Sequence, residues 1–161
     1  MKAAIDASVL IFFAKMQKLG ALLEIFPNLH MSQTVFNEIM EGKKHGFLES
    51  IEIEKFVNGK KIVLDSKKQK SGISGEDSTI LLAKRKKIST LLMDDFAGIK
   101  KAGLFGLKAY SCPFILLKAL ESKKISKDEF ARLLEKLLSF NNFISPRLLK
   151  KIIELAEQMG S

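Results

Sequence analysis

Residues 2–16 read Lys-Ala-Ala-Ile-Asp-Ala-Ser-Val-Leu-Ile-Phe-Phe-Ala-Lys-Met. The apolar run Lys2–Ile5 closes on Asp6, after which Val9, Phe12, Phe13 and Met16 recur at helical spacing. A strand, an acid at its carboxyl end and a helix is the repeating unit of a parallel sheet. Further along, Thr90-Leu-Leu-Met93 ends on Asp94 and Asp95 and leads into a helical pattern over Phe96–Ala102.

Working outward, the spacing predicts helices at Ser8–Lys18 and Leu19–Phe26, the second stopped by Pro27. A strand follows at Leu29–Met31, then a helix capped by Ser32 that runs to about Met40, with Gly42 as its stop. Phe47–Glu52 reads as another turn or two of helix, Lys61–Leu64 as a strand, and Asp65–Gly72 as a mobile loop. Ser74 opens a helix to about Lys86, with Asp77 completing a Ser-x-x-Asp capping pattern. After strands at Thr90–Met93 and Leu107–Tyr110, helices are expected at Pro113–Leu120, from a Ser126/Glu129 capping box to near Phe140, and from Ser145-Pro146 onward.

This is an α/β pattern, with a mostly parallel sheet covered on both faces and additional C-terminal helices. At 161 residues it reads as a single domain, 1–161, with a core over about 2–125 and a helical extension over about 126–159.

Composition narrows the function. Lys+Arg 27 against Asp+Glu 18 leaves a net charge of +9, which suits a polyanionic partner or a Lys-rich solvated surface. A single Cys rules out an internal disulfide framework and a Cys-cluster zinc site, and makes a reducing cytoplasm the expected compartment. No apolar run approaches the roughly 20 residues of a membrane span. Twelve Phe, no Trp and one Tyr place the aromatic mass in apolar packing rather than in a base-stacking platform.

In an open parallel sheet, ligands sit beyond the carboxyl ends of the strands, where Asp6 and Asp94-Asp95 fall. Asp at such a place commonly caps the next helix. One strand end would be explained that way; two converging on one edge favour chemistry. Glu38 flanks the stripe of Val35, Phe36, Ile39 and Met40, and Glu76 with Asp77 lies in the first turn of a helix whose Ile80 and Ala83 face the core. Carboxylates gathered without a cation raise one another's pKa. An all-oxygen set selects Mg²⁺ or Mn²⁺, one ion or two, and such a centre activates water for in-line displacement at phosphorus.

Four stretches now stand in order: Ile-Asp-Ala-Ser-Val-Leu-Ile (5–11), Val-Phe-Asn-Glu-Ile (35–39), Gly-Glu-Asp-Ser-Thr-Ile-Leu-Leu-Ala (75–83) and Leu-Leu-Met-Asp-Asp (91–95). Together they resemble the PIN domain, and particularly its archaeal branch with Gly-Glu at the third motif and Asp-Asp at the fourth. The resemblance implies a three-layer α/β/α fold and a metal-dependent endoribonuclease, similar to VapC-type toxins. It implies Asp6, Glu38, Glu76 and Asp95 as catalytic acids, with Asp94 joining them as metal ligands. Ser8 and Asp77 take supporting places, Ser8 as a hydrogen-bond donor to a ligating carboxylate or water. RNA is the implied substrate, single-stranded DNA fits the same reading, and a homodimer and an antitoxin protein are the implied partners.

Lys67, Lys68, Lys100 and Lys101 are the candidate phosphate contacts, being cations near loops at the acidic edge. Two departures stand out. Relatives in this branch usually carry Arg a few residues after Asp-Asp, where this chain has Ile99, and a Gly-Thr turn where it has Ser111-Cys112-Pro113. They leave open a second reading, a PIN-like module that binds RNA or protein without cleaving. A phosphatase of the haloacid dehalogenase type would need an Asp where Ser8 stands. His30 and His45 are isolated, and Cys112 reads as a buried thiol.

Overall fold

The structure is a computed structural model describing residues 1–140 and 144–159. Strands β1 (Lys2–Ile5), β2 (Asn28–Ser32), β3 (Ile62–Asp65), β4 (Thr90–Leu92) and β5 (Lys108–Tyr110) form one sheet in the order β3-β2-β1-β4-β5. Every neighbouring pair is parallel. From β1 the chain steps outward through α1 (Ala7–Lys15) and α2 (Leu19–Ile25) to β2, then through α3 (Gln33–Lys44) and α4 (Leu48–Asn58) to β3. Helix α5 (Gly75–Lys86) carries it back past β2 and β1 to β4, and α6 (Phe96–Leu104) leads to β5.

The direction of winding therefore reverses between β1 and β4. Right-handed crossovers put helices on both faces of such a sheet and open a crevice at the reversal, beyond the strand ends. Ile5 pairs with Leu92, which sets Asp6 level with the start of the Met93–Asp95 segment. Strands covered on both faces carry continuous apolar runs. Accordingly Ala3, Ala4, Ile5, Leu91 and Leu92 are fully buried, and Ile80, Leu82, Ala83 and Ala102 of α5 and α6 pack over Ala4 and Leu91.

Three local expectations are corrected. Gly42 does not stop α3, which continues to Lys44. A Cβ at Gly42 would lie 2.7 Å from Ser50 Oγ and 2.9 Å from the Phe47 ring, so this glycine admits a close packing partner within the helix. The segment after it forms three turns, Leu48–Asn58, with Ser50 and Ile53 buried. The loop expected over Asp65–Gly72 starts one residue later and is hydrogen-bonded at Lys67 and Gln69. Asp65 ends β3 and accepts the Lys67 N–H at 3.0 Å; Gln69 accepts from the Thr34 hydroxyl at 3.1 Å and donates to the Ser78 carbonyl at 3.3 Å.

The chain divides into two compact units, Met1–Ser111 and Cys112–Ser161. The sheet lies in the first. In the second, α7 (Cys112–Glu121) packs against both α8 (Lys127–Phe140) and α9 (Pro146–Gln158). The expected 1–161 range includes 141–143 and 160–161, which lie outside the described residues. The Ser126/Glu129 capping box forms reciprocally, and Ser145 caps α9 through the Leu148 N–H. Among the described residues, no helix is long and apolar enough to cross a membrane.

Candidate functional site

Asp6 sits at the mouth of the crevice. Its own N–H donates to the Leu92 carbonyl at 3.0 Å, which locks the end of β1 to the end of β4. It occupies the N-cap position of α1, yet its side chain makes no capping hydrogen bond to that helix. The side chain is almost wholly buried, at 3% exposure. A helix cap alone does not account for a carboxylate placed there.

The other acids come from three elements. Ser32 caps α3 by accepting the Val35 N–H at 3.1 Å, which phases Val35 and Ile39 into the core and leaves Glu38 on the exposed flank. Ser74 caps α5 in the same way through Asp77 N–H, also at 3.1 Å, and places Glu76 in the first turn. There the helix dipole favours negative charge. Asp95 begins α6 and accepts the Gly98 N–H at 2.6 Å.

Two glycines hold these groups close. A Cβ at Gly75 would stand 2.8 Å from Glu38 Oε2, 3.0 Å from Oε1 and 3.2 Å from Asp6 Oδ1. A Cβ at Gly98 would stand 2.5 Å from Met93 Sδ, 3.2 Å from Asp95 Oδ2 and 3.4 Å from Glu76 Cβ. Gly75 thus leaves room beside it for the Glu38 and Asp6 carboxylates, and Gly98 for the Met93 sulfur and the Asp95 carboxylate.

The electrostatics follow from this crowding. Burial pushes Asp6 from its ordinary 3.8 up to about 7; the Ala7 N–H opposes the rise, and the charges of Glu76, Glu38 and Asp95 add to it. Glu38 is also raised, first by burial and then by the Glu76 charge, against the Gly75 N–H that stabilises its carboxylate. Among the described residues no three His, Cys, Asp or Glu side chains stand as a formed ligand set. Four like-charged groups without a cation between them repel, and the long Glu38 and Glu76 side chains have the rotamer freedom to swing inward. The donor set is all oxygen, it encloses a buried acid held partly protonated near neutrality, and the glycines keep the space beside it clear. These residues fit a hard divalent cation.

The remaining predicted residues are not among the charges that raise Asp6 and Glu38. Asp94 is half-buried between β4 and α6 and is not among the acids that raise Asp6. Ser8 is exposed on the first turn of α1. Asp77 turns away to Lys101, whose Nζ meets its Oδ1 at 2.6 Å, so these two candidates neutralise each other. Lys100 is exposed on α6, and Ile99 packs against the core where a cation was expected. Lys67 and Lys68 are exposed and border a shallow pocket with Lys84 and Arg85. Arg85 is bound at 2.7 Å to Asp65, whose burial would raise its pKa; the Lys67 N–H and Arg85 outweigh that and hold it low.

Sequence reasoning did not single out Gly75, although its neighbour Glu76 was chosen, nor Gly98. It also missed Phe96, which directly follows Asp95 and is 79% exposed.

A comparison with curated proteins gives no match. A family model described as a PIN domain (DUF3368) matches residues 2–158. The chain, with its all-parallel five-stranded sheet and acids at the switch point, belongs to the PIN-domain family, which generally includes metal-dependent nucleases.

Proposed function

We propose that this protein is a metal-dependent endoribonuclease whose centre is Asp6, with Glu38, Glu76 and Asp95 around it and Asp94 beside them. The observation that carries the reading is Asp6 itself: a carboxylate that does not cap its helix, raised first by its burial and then by three acids from three other elements. Mg²⁺ or Mn²⁺ fits this donor set, and when bound it polarises a phosphodiester and lowers the pKa of water.

The chain's own residues do the rest. Asp6 and Asp95 are the fixed acids, because one is locked to β4 through Leu92 and the other to α6 through Gly98. Glu38 and Glu76 close from the flanks on the longer side chains. The exposed cations Lys67, Lys68 and Lys100 hold the phosphate backbone of RNA, or of single-stranded DNA, by charge rather than by sequence. No side-chain nucleophile is required. A VapC-like toxin, working in the cytoplasm as a homodimer with an antitoxin, is the setting this reading favours.

Ile99, packed into the core where a cation was expected, favours a second reading of a binding module without cleavage. Incubating the protein with labelled mixed-sequence RNA in Mn²⁺, Mg²⁺ or EDTA tests the two. Metal-dependent cleavage supports the nuclease; binding without cleavage under all three conditions supports the module.

A further inference from the structure

Phe96 opens α6 immediately after Asp95, and its ring is 79% exposed. Burying a phenyl ring normally contributes roughly 1.5–3 kcal/mol, so a Phe left in water beside a functional cluster needs an explanation. Among the described residues the ring has no aromatic partner and no cation over it. Phe105 differs, carrying Lys84 Nζ at 4.0 Å, and so does Tyr110, with Lys108 Nζ at 5.1 Å.

The surroundings of Phe96 are charged. Asp94 and Asp95 precede it, and Lys100 is exposed one helical turn on, on the same face of α6. A protein partner docking by apolar contact would need a continuous greasy patch. The other large apolar groups exposed at α6, Leu104 and Phe105, lie two turns on at its far end with Lys100 and Lys101 between, so the isolated ring beside a cation matches a different shape, a planar base on an anionic backbone.

We propose that Phe96 is a stacking platform for one nucleobase of single-stranded RNA, with Lys100 taking the adjoining phosphate. The proposal rests on the reading of the acidic edge as a centre acting on RNA, and adds that the substrate must be unpaired there. In a duplex the bases are stacked on one another and offer no free face to Phe96. Phe96 binds and orients; it does not take part in bond cleavage.

The protein has no Trp, which makes Phe96→Trp a unique fluorescent reporter. Phe96→Ala, Phe96→Trp and the parent would be compared on an Asp6→Asn background, so that the RNA stays intact. Binding of a short fluorescein-labelled single-stranded RNA and of the same sequence as a duplex is read by anisotropy. The proposal expects Phe96→Ala to weaken single-strand binding by about 5- to 150-fold, the range of base–aromatic stacking. The salt slope should not change, because no phosphate contact is lost. Phe96→Trp should keep the affinity and show quenched indole emission when RNA is added. Unchanged affinity in Phe96→Ala, an unquenched Trp, or a parent that prefers duplex or binds no RNA overturns it.

The two readings fail separately. Wild-type cleavage, with Phe96→Ala binding as tightly as its Asp6→Asn parent and, once Asp6 is restored, cutting as fast as the wild type, removes the platform and keeps the nuclease. Phe96-dependent binding without cleavage by the wild type keeps the platform and removes the nuclease.

Discussion

The Asp6 amide donates to the Leu92 carbonyl at 3.0 Å, so that β1 and β4 finish side by side where the sheet reverses its winding. This bond fixes the one carboxylate at the site that cannot retreat to solvent. Glu38 and Glu76 can swing away from their neighbours, whereas Asp6 stays buried with its charge disfavoured.

The raised Asp6 makes the metal-free protein pH-sensitive, with a definite sign. A carboxyl near 7 when folded and near 3.8 when unfolded binds its proton more tightly in the native state. The Asp6 contribution to stability is therefore full below about pH 4, is lost as pH rises to about 7, and leaves a penalty of about 4 kcal/mol above that. Asp6→Asn should remove this slope and melt higher than wild type at pH 8 in EDTA, by on the order of 10 °C. Adding Mn²⁺ should raise the wild-type melting temperature and leave the variant nearly unmoved. Calorimetry across pH, with and without metal, checks both halves.

Gly75→Ala should separate site from scaffold. The new methyl would press on the Glu38 carboxylate, 2.8 Å away, and on Asp6 Oδ1, 3.2 Å away. The Glu38 side chain can yield, so stability should change by less than about 1 kcal/mol. Metal affinity, read by titration calorimetry, should fall roughly 10- to 100-fold.

Asp95 both caps α6 and faces the cluster, and two variants divide those roles. Asn caps as well as Asp, so Asp95→Asn should keep the melting temperature and lose cleavage. Asp95→Ala should lose cleavage and also about 1 kcal/mol of stability. Equal melting temperatures for the two variants would show that the cap contributes nothing.

The Lys101–Asp77 pair is about half exposed on both sides, so breaking it should cost less than about 1 kcal/mol. Asp77→Asn frees the Lys101 ammonium, and RNA binding should tighten, with the salt slope steeper by about 0.7. Lys67→Ala with Lys68→Ala should act oppositely, flattening the slope by about 1.4. Anisotropy titrations over a range of salt concentrations measure both.

The parts of this fold legible in the sequence are those written in neighbouring residues. Lys-Ala-Ala-Ile before Asp6 and Thr-Leu-Leu-Met before Asp94 declare buried strands ending in acids, and Ser32, Ser74, Ser126 and Ser145 each mark the helix start they cap. What stayed hidden depends on distant contacts. Gly42 looks like a helix stop until Ser50 and Phe47 are seen against it. Lys101 and Asp77, 24 positions apart, look like independent candidates until they are found paired. Phe96 counts as core by composition, and only the packing of α6 shows its ring in solvent.

The most direct test of the central claim is cleavage of a labelled mixed-sequence RNA by the wild type and by Asp6→Asn, in Mn²⁺, Mg²⁺ and EDTA. Cleavage by the wild type in metal, abolished by EDTA and absent from Asp6→Asn, is the predicted result. Cleavage that persists in EDTA or survives in Asp6→Asn would contradict it, as would a wild type that binds the RNA in all three conditions and leaves it whole.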